Sequence, residues 1–180
     1  MPTTYCLTRS EYVTVREHSP DALVVEAEYG PQGSPPPPHF HPAQDEHFEV
    51  IVGALRAVVD GKVHTLHAGD VLDIPRGAVH QLWNPGDTPT HVTWSTRPAG
   101  RTREWFAGLD AAHREGHVGK KGIPEPLTLA VLLTAYRDTL RMAQRPRFLV
   151  SAVLGLLAAV GRLRGIRPPS LPRQTPLGAA

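Results

Sequence analysis

A single cysteine, Cys6, is all that this 180-residue chain contains, so no disulfide can close within it and a reducing compartment is the simpler setting. The opening residues, Met-Pro-Thr-Thr-Tyr-Cys-Leu-Thr-Arg, lack an apolar run of signal-peptide length, and a cytoplasmic location is the expectation. The uncharged apolar stretch at residues 148–161 falls short of the roughly 20 residues that a bilayer span needs. Several signatures are missing too: no Gly-x4-Gly-Lys-[Ser/Thr], no Gly-x-Ser-x-Gly and no Cys-x-x-Cys occurs, which removes the common phosphate-loop, serine-hydrolase and dithiol readings. Acidic residues almost vanish toward the C-terminal end. Residues 137–180 hold eight arginines and one acid, Asp138, whereas residues 1–136 hold 11 Lys+Arg against 16 Asp+Glu. That basic end lacks the interleaved aromatics on which single-stranded nucleic acid stacks, so no nucleic-acid partner is expected.

What the chain has in quantity is turn residues, with 19 prolines and 16 glycines. Between them lie short runs rich in β-branched residues: Tyr12 to Arg16, Ala22 to Tyr29, Glu46 to Val52, Leu55 to Val59, Lys62 to His67, Val71 to Ile74, Val79 to Trp83 and His91 to Thr96. Asp60-Gly61 between two such runs is a strong hairpin signal. Four prolines at 35–38 favour a stiff extended lead-in to His39. Eight or nine strands at regular spacing predict a mainly β fold, a small antiparallel barrel or sandwich.

Helical periodicity begins after Pro98. A first helix is predicted from Thr102, as its cap, to about Glu115, burying Trp105, Leu109 and Ala112. A second is predicted from about Leu127 to Gln144 on the stripe Leu129, Leu132, Leu133, Tyr136 and Leu140, and a third from about Phe148 to Leu163 before Gly165. The expected organisation is a β-barrel with its following helix over residues 1–116, a helical extension over 117–165, and a flexible Pro/Arg tail over 166–180. The third helix is apolar on nearly every face, so something must cover it. It either packs on the stripe of the second helix or lies at an anionic membrane surface with the arginines toward lipid heads.

Chemistry concentrates between Gly33 and Asn84. His39, His41, Glu46 and His80 offer three imidazoles and a carboxylate at spacings that suit a divalent first-row metal. His39 and His41, two apart, share one side of a strand, and Glu46 and His80 must come from neighbouring strands. The stretch Gly33, His39, His41, Glu46 and Gly53 reads G-x5-H-x-H-x4-E-x6-G, and Gly69, Pro75, Gly77, His80 and Asn84 read G-x5-P-x-G-x2-H-x3-N. With every fixed position filled, the chain resembles the cupin superfamily. The resemblance extends by strand pattern over most of residues 1–116 and leaves the C-terminal third uncovered.

That resemblance implies a jelly-roll-like β-barrel with a metal held by His39, His41, Glu46 and His80 in its mouth, and a homodimer. The mixed N/O donor set does not choose among Fe, Mn, Ni, Zn, Co or Cu. Strand parity places Phe48, Val50 and Val52 inward with Glu46, and Leu82 and Asn84 inward with His80. The expected pocket lining is therefore Phe48, Val50, Leu82, Asn84, Trp94 and, if its strand has that register, His91. The remaining histidines, His18, His47, His64, His67, His113 and His117, read as solvated or edge residues. Parity forces no second inward carboxylate or lysine beside the ion, and the absence of a phosphate-holding base points to a small, partly apolar or aromatic ligand. The leading reading is a metal-dependent small-molecule enzyme, dioxygenase chemistry ahead of isomerase or decarboxylase. The alternative is a non-catalytic ligand-binding or sensor module.

Overall fold

Among residues 2–120, 122–169 and 171, which the computed structural model describes, the turn chemistry delimits strands much as expected. In chain order they are β1 Thr4–Thr8, β2 Glu11–His18, β3 Leu23–Tyr29, β4 His39–Phe40, β5 Asp45–Val52, β6 Ala54–Val59, β7 Lys62–His67, β8 Val71–Ile74, β9 His80–Trp83 and β10 Thr90–Arg97. The helices α1 Thr102–Arg114, α2 Pro126–Ala135 and α3 Arg147–Leu163 follow, with a short strand β11 Arg141–Met142 between the last two. Asp60 and Gly61 both have positive φ, 46° and 82°, the backbone that a two-residue hairpin matched to strand twist requires.

Pairing is antiparallel throughout and forms two sheets, one ordered β1-β2-β3-β10-β5-β8 and the other β11-β4-β9-β6-β7. Their inner faces share one apolar core, with Val13, Leu23, Val25, Phe48, Val50 and Val92 from the first meeting Leu55, Ala57 and Leu82 from the second. Among the described residues no ladder joins the edges of the two sheets, so the jelly-roll-like arrangement is a sandwich rather than a closed barrel. The first strand, β1, was not expected. Its hairpin to β2 turns at Arg9-Ser10, which contains no glycine or proline to announce it.

One parity expectation fails for a visible reason. Glu46, Phe48 and Val50 are buried, but Val52 is 53% exposed. Val92 pairs with Val50 while His91 pairs with Val52, so Ile51 is an extra residue on β5. Such a bulge turns the strand end over. On β10 Thr90, Val92, Trp94 and Thr96 are all buried and share one face, which puts His91 on the outer face.

The helices differ from expectation in detail. Thr102 is the first helical residue, not the cap; Arg101 occupies the cap without a side-chain bond. The Thr102 hydroxyl instead lies 2.8 Å from the buried Gln44 amide nitrogen, which ties the start of α1 to the loop between His41 and Glu46. Helix α2 ends at Ala135, nine residues before the expected Gln144, because Arg141 and Met142 leave the helix to pair with Phe40 and His39 on β4. The buried face of α1 is Trp105, Leu109 and Ala112, with Phe106 added. Leu132, Leu133, Tyr136 and Leu140 join the main core. Of the stretch expected to be a tail, Ile166 packs against Ala130, Val131 and Ala158 and the Tyr136 hydroxyl donates to the Pro169 carbonyl; residues 170 and 172–180 lie outside the described residues.

Candidate metal centre and its cavity

Three short elements deliver the imidazoles. His39 on β4 pairs directly with His80 on β9, and His41 follows β4 by one residue. Gly77, at φ 85°, donates its N–H to the His41 carbonyl at 2.8 Å, a turn conformation that disfavours any larger residue. Each imidazole is anchored through Nδ1 to a backbone carbonyl: His39 to Pro37 at 3.0 Å, His41 to Thr139 at 2.6 Å and His80 to Ala78 at 3.0 Å. A carbonyl can only accept, so each Nδ1 carries the proton. The Nε2 lone pairs are then left for the centre, the arrangement that orients histidine ligands toward an ion. One donor atom from each of the three rings lies within 4.8 Å of the others.

Glu46 completes the cluster against two of the three rings. Its Oε1 is 3.3 Å from His41 Nε2 and its Oε2 is 3.1 Å from His80 Nε2. Trp94 Nε1–H donates to Oε1 at 3.2 Å, whereas buried Oε2 has no hydrogen-bond donor. Acceptor thus faces acceptor in a buried site, and a shared cation, proton or metal, is what removes the repulsion. The electrostatics agree. Burial and the neighbouring His80 and His41 push His39 down to about 3, so it is a neutral donor at pH 7. Burial works against ionisation of Glu46, but His41 and His80 outweigh it and hold the carboxyl below its ordinary value. Burial likewise disfavours charged His80, but the carboxylate of Glu46 beside its ring, which would bond to the protonated form, overrides this and raises it. The residues present therefore fit a divalent ion in donor type, protonation and burial.

The cluster forms the polar end of a cavity of about 200 Å³. Of the expected lining, Phe48, Leu82 and Trp94 border it. Val50 is wholly buried and does not border it. Asn84 is inward but used up in the loop, its amide donating to the Tyr29 and Thr88 carbonyls while its Oδ1 accepts from Gly86 N–H. His91 is on the outer face, for the parity reason given above. The opposite walls come from residues beyond the two motifs: Trp105, Phe106 and Leu109 of α1, Leu129 and Leu133 of α2, and Met142 of β11. The segment after α2 therefore both roofs the cavity and supplies, at Thr139, the carbonyl that fixes His41.

One polar residue of the lining was missed. Glu11, at the start of β2, borders the cavity, and its carboxyl makes no hydrogen bond or ion pair among the described residues. Burial raises its carboxyl to about 7. Tyr29, its cross-strand partner, also lines the cavity and is pushed well above its ordinary value by burial, then by Glu11 and Glu46, so it remains a neutral phenol. The available signal was parity with Val13, two residues on and fully buried. It went unread because the expected strand began at Tyr12, one residue after Glu11, whereas β2 begins at Glu11.

Comparison with known proteins follows the same geography. The family profile described as "Cupin domain" matches residues 25–96, the span that carries both motifs and all or most of strands β3, β5, β8 and β10 of the first sheet. Residues 25–96 thus carry a cupin domain. Among curated proteins it is similar to the tetracenomycin polyketide synthase protein TcmJ of Streptomyces glaucescens, 28% identical over 88 residues that make up 49% of this chain and 52% of that protein. It is also similar to the probable oxidoreductase patJ of Aspergillus clavatus, 34% identical over 83 residues, 44% of this chain and 25% of that protein. The chain thus spans about half or less of the length of these relatives. Among solved structures, an RmlC-like cupin from Shewanella frigidimarina superposes with a TM-score of 0.51 at 18% identity, over 57% of this chain and 88% of that one, a likeness of fold alone. In this chain the three-histidine cluster faces a roof that comes from helices beyond the matched span.

Proposed function

We propose that this cupin is a metal-dependent enzyme that acts on a small, one-ring or enolisable substrate bound between the His39–His41–His80 cluster and the roof of α1 and α2. The observation that carries the reading is the cavity itself: metal-ligating donors at one end, apolar and aromatic walls, and one unpaired carboxyl, Glu11, in its lining. An apolar cavity of about 150 Å³ takes a benzene molecule, so about 200 Å³ suits a single ring with a few polar substituents.

His39, His41 and His80 would hold the ion, with Glu46 as the fourth ligand. When bound, the ion supplies Lewis acidity toward a substrate oxygen and, if redox-active, electrons for a reaction with dioxygen. The chain's own groups do the rest. Phe48 and Trp94, stacked with centroids 5.4 Å apart, and Phe106 against Trp94 at 5.1 Å form the aromatic wall and exclude water. Glu11, poised near neutrality, accepts a proton from an acidic C–H or phenolic O–H, the pKa match that general-base catalysis favours. The neutral Tyr29 hydroxyl is a donor for a substrate oxygen. The oxidoreductase and polyketide synthase names among the relatives are in keeping with an oxygen-dependent reaction on a phenol or diketone.

The test is oxygen uptake with a panel of phenols and diketones, using protein loaded in turn with Fe, Mn, Ni and Cu. Uptake that falls in Glu11→Gln supports the reading. Binding without turnover in every metal form would make the protein a ligand-binding sensor instead. Exposed Ile51, Val52, Val63 and Val71 offer a homodimer its apolar contact, and sedimentation of wild type beside Val63→Glu tests that.

A further inference from the structure

We propose that the exposed face of α3 docks on an anionic lipid surface, independently of the chemistry in the cavity. The helix uses one side to pack on α2: Leu154, Leu157 and Ala158 meet Ala130 and Val131, and Gly161 lies so close that an added Cβ would come within 2.8 Å of the Val131 side chain. The opposite side is uncovered. Phe148 is 72% exposed, Leu149 51%, Val153 56%, Leu156 69% and Leu163 89%. Spacings of three and four align Leu149, Val153, Leu156 and Leu163 in one stripe. A chain of this size rarely leaves such a stripe bare without a use for it.

Charge selects the occupant. Arg145, Arg147, Arg162, Arg164 and Arg167 flank both ends of the stripe. The sole acid after residue 136, Asp138, is taken by Arg101. Among the described residues none of those five arginines pairs with a carboxylate, although the Arg147 guanidinium sits 5.1 Å over the Phe40 ring. A second copy laid on this face would bring arginine against arginine with no acid on α3 to separate them. A neutral apolar partner would leave the arginines unused. An interfacial helix uses both features, its apolar side among acyl chains and its arginines at the headgroups. At 17 residues, with no helix among the described residues long and apolar enough to cross a membrane, α3 lies on the surface rather than through it.

The experiment is co-sedimentation of the full chain with vesicles of phosphatidylcholine alone and of phosphatidylcholine with phosphatidylglycerol, at low and high salt. Each arginine near an anionic surface contributes about fivefold in partitioning, so binding is expected only to the anionic vesicles and should collapse at high salt. Phe148→Glu and Leu156→Glu, both at exposed positions and so compatible with folding (checked by circular dichroism), should together lower partitioning by roughly tenfold or more. Three results would overturn the proposal: no binding at low salt, equal binding to both vesicle types, or a solution dimer that Leu156→Glu dissociates while wild type ignores vesicles, which would assign the face to a second copy.

Discussion

Replacing Glu11 by glutamine should stabilise the protein in alkaline solution and leave it nearly unchanged in acid. Folding raises this carboxyl from 4.5 to about 7 because burial disfavours its charged form. In the folded state it therefore keeps its proton where the unfolded chain has lost it. Stability from this group is intact below about pH 4.5, falls as pH rises through the window up to about 7, and stays lower above it. At about 1.4 kcal/mol per pKa unit the ceiling is about 3 kcal/mol. Glu11 is only partly buried, so solvent screening reduces the expectation to about 1–2 kcal/mol. Glutamine is close in shape and never ionises, so it removes that penalty. The assay is urea unfolding of wild type and Glu11→Gln across about pH 5 to 8 with chelator present, so that protonation of His39, His41 and His80 is common to both and cancels in the difference. A variant that gains stability with pH while losing turnover is the signature of a residue kept for function rather than stability. A difference that is flat across the range, or that favours wild type at high pH, would refute the burial argument.

Other outcomes follow from the same geometry. Trp94→Phe keeps the aromatic wall but removes the N–H that Glu46 Oε1 accepts at 3.2 Å; metal affinity measured by competition with a chromogenic chelator should fall roughly 10-fold to 100-fold, and unchanged affinity would remove Trp94 from the centre's support. Leu133→Ala takes a buried side chain from the roof, and should cost about 2–4 kcal/mol in urea unfolding while admitting a bulkier ligand. Acidification should release the ion as imidazoles take up protons, with His80, raised by the neighbouring Glu46 carboxylate, competing first; release that does not depend on pH would argue against imidazole ligation.

The strand pattern and the metal cluster were legible because both depend on local features. Alternation fixed which face carries His80 and Leu82, and Gly-Pro punctuation marked the strand ends around them. What stayed hidden depends on contacts between distant segments. The Ile51 bulge that turns Val52 outward is set by the pairing of β5 with β10, and no residue type announces it. The Arg9-Ser10 hairpin carries no glycine or proline to mark where β2 begins, so Glu11 fell outside the expected strand Tyr12 to Arg16. Residues 136–144 continue a helical pattern in sequence, yet the pairing of Arg141 and Met142 with β4 and the bond from His41 to Thr139 override it. Local propensity gave way there to the chance to cover the cavity and anchor a ligand histidine.

Elemental analysis of protein purified without chelator, beside His41→Ala prepared the same way, bears most directly on the account. About one divalent transition-metal ion per chain is expected in wild type, with a large loss in His41→Ala, whose ring is buried, anchored to Thr139 and 3.3 Å from Glu46. Less than about 0.1 ion per chain in both native and reconstituted wild type, with no further loss in the variant, would contradict a metal centre at these residues.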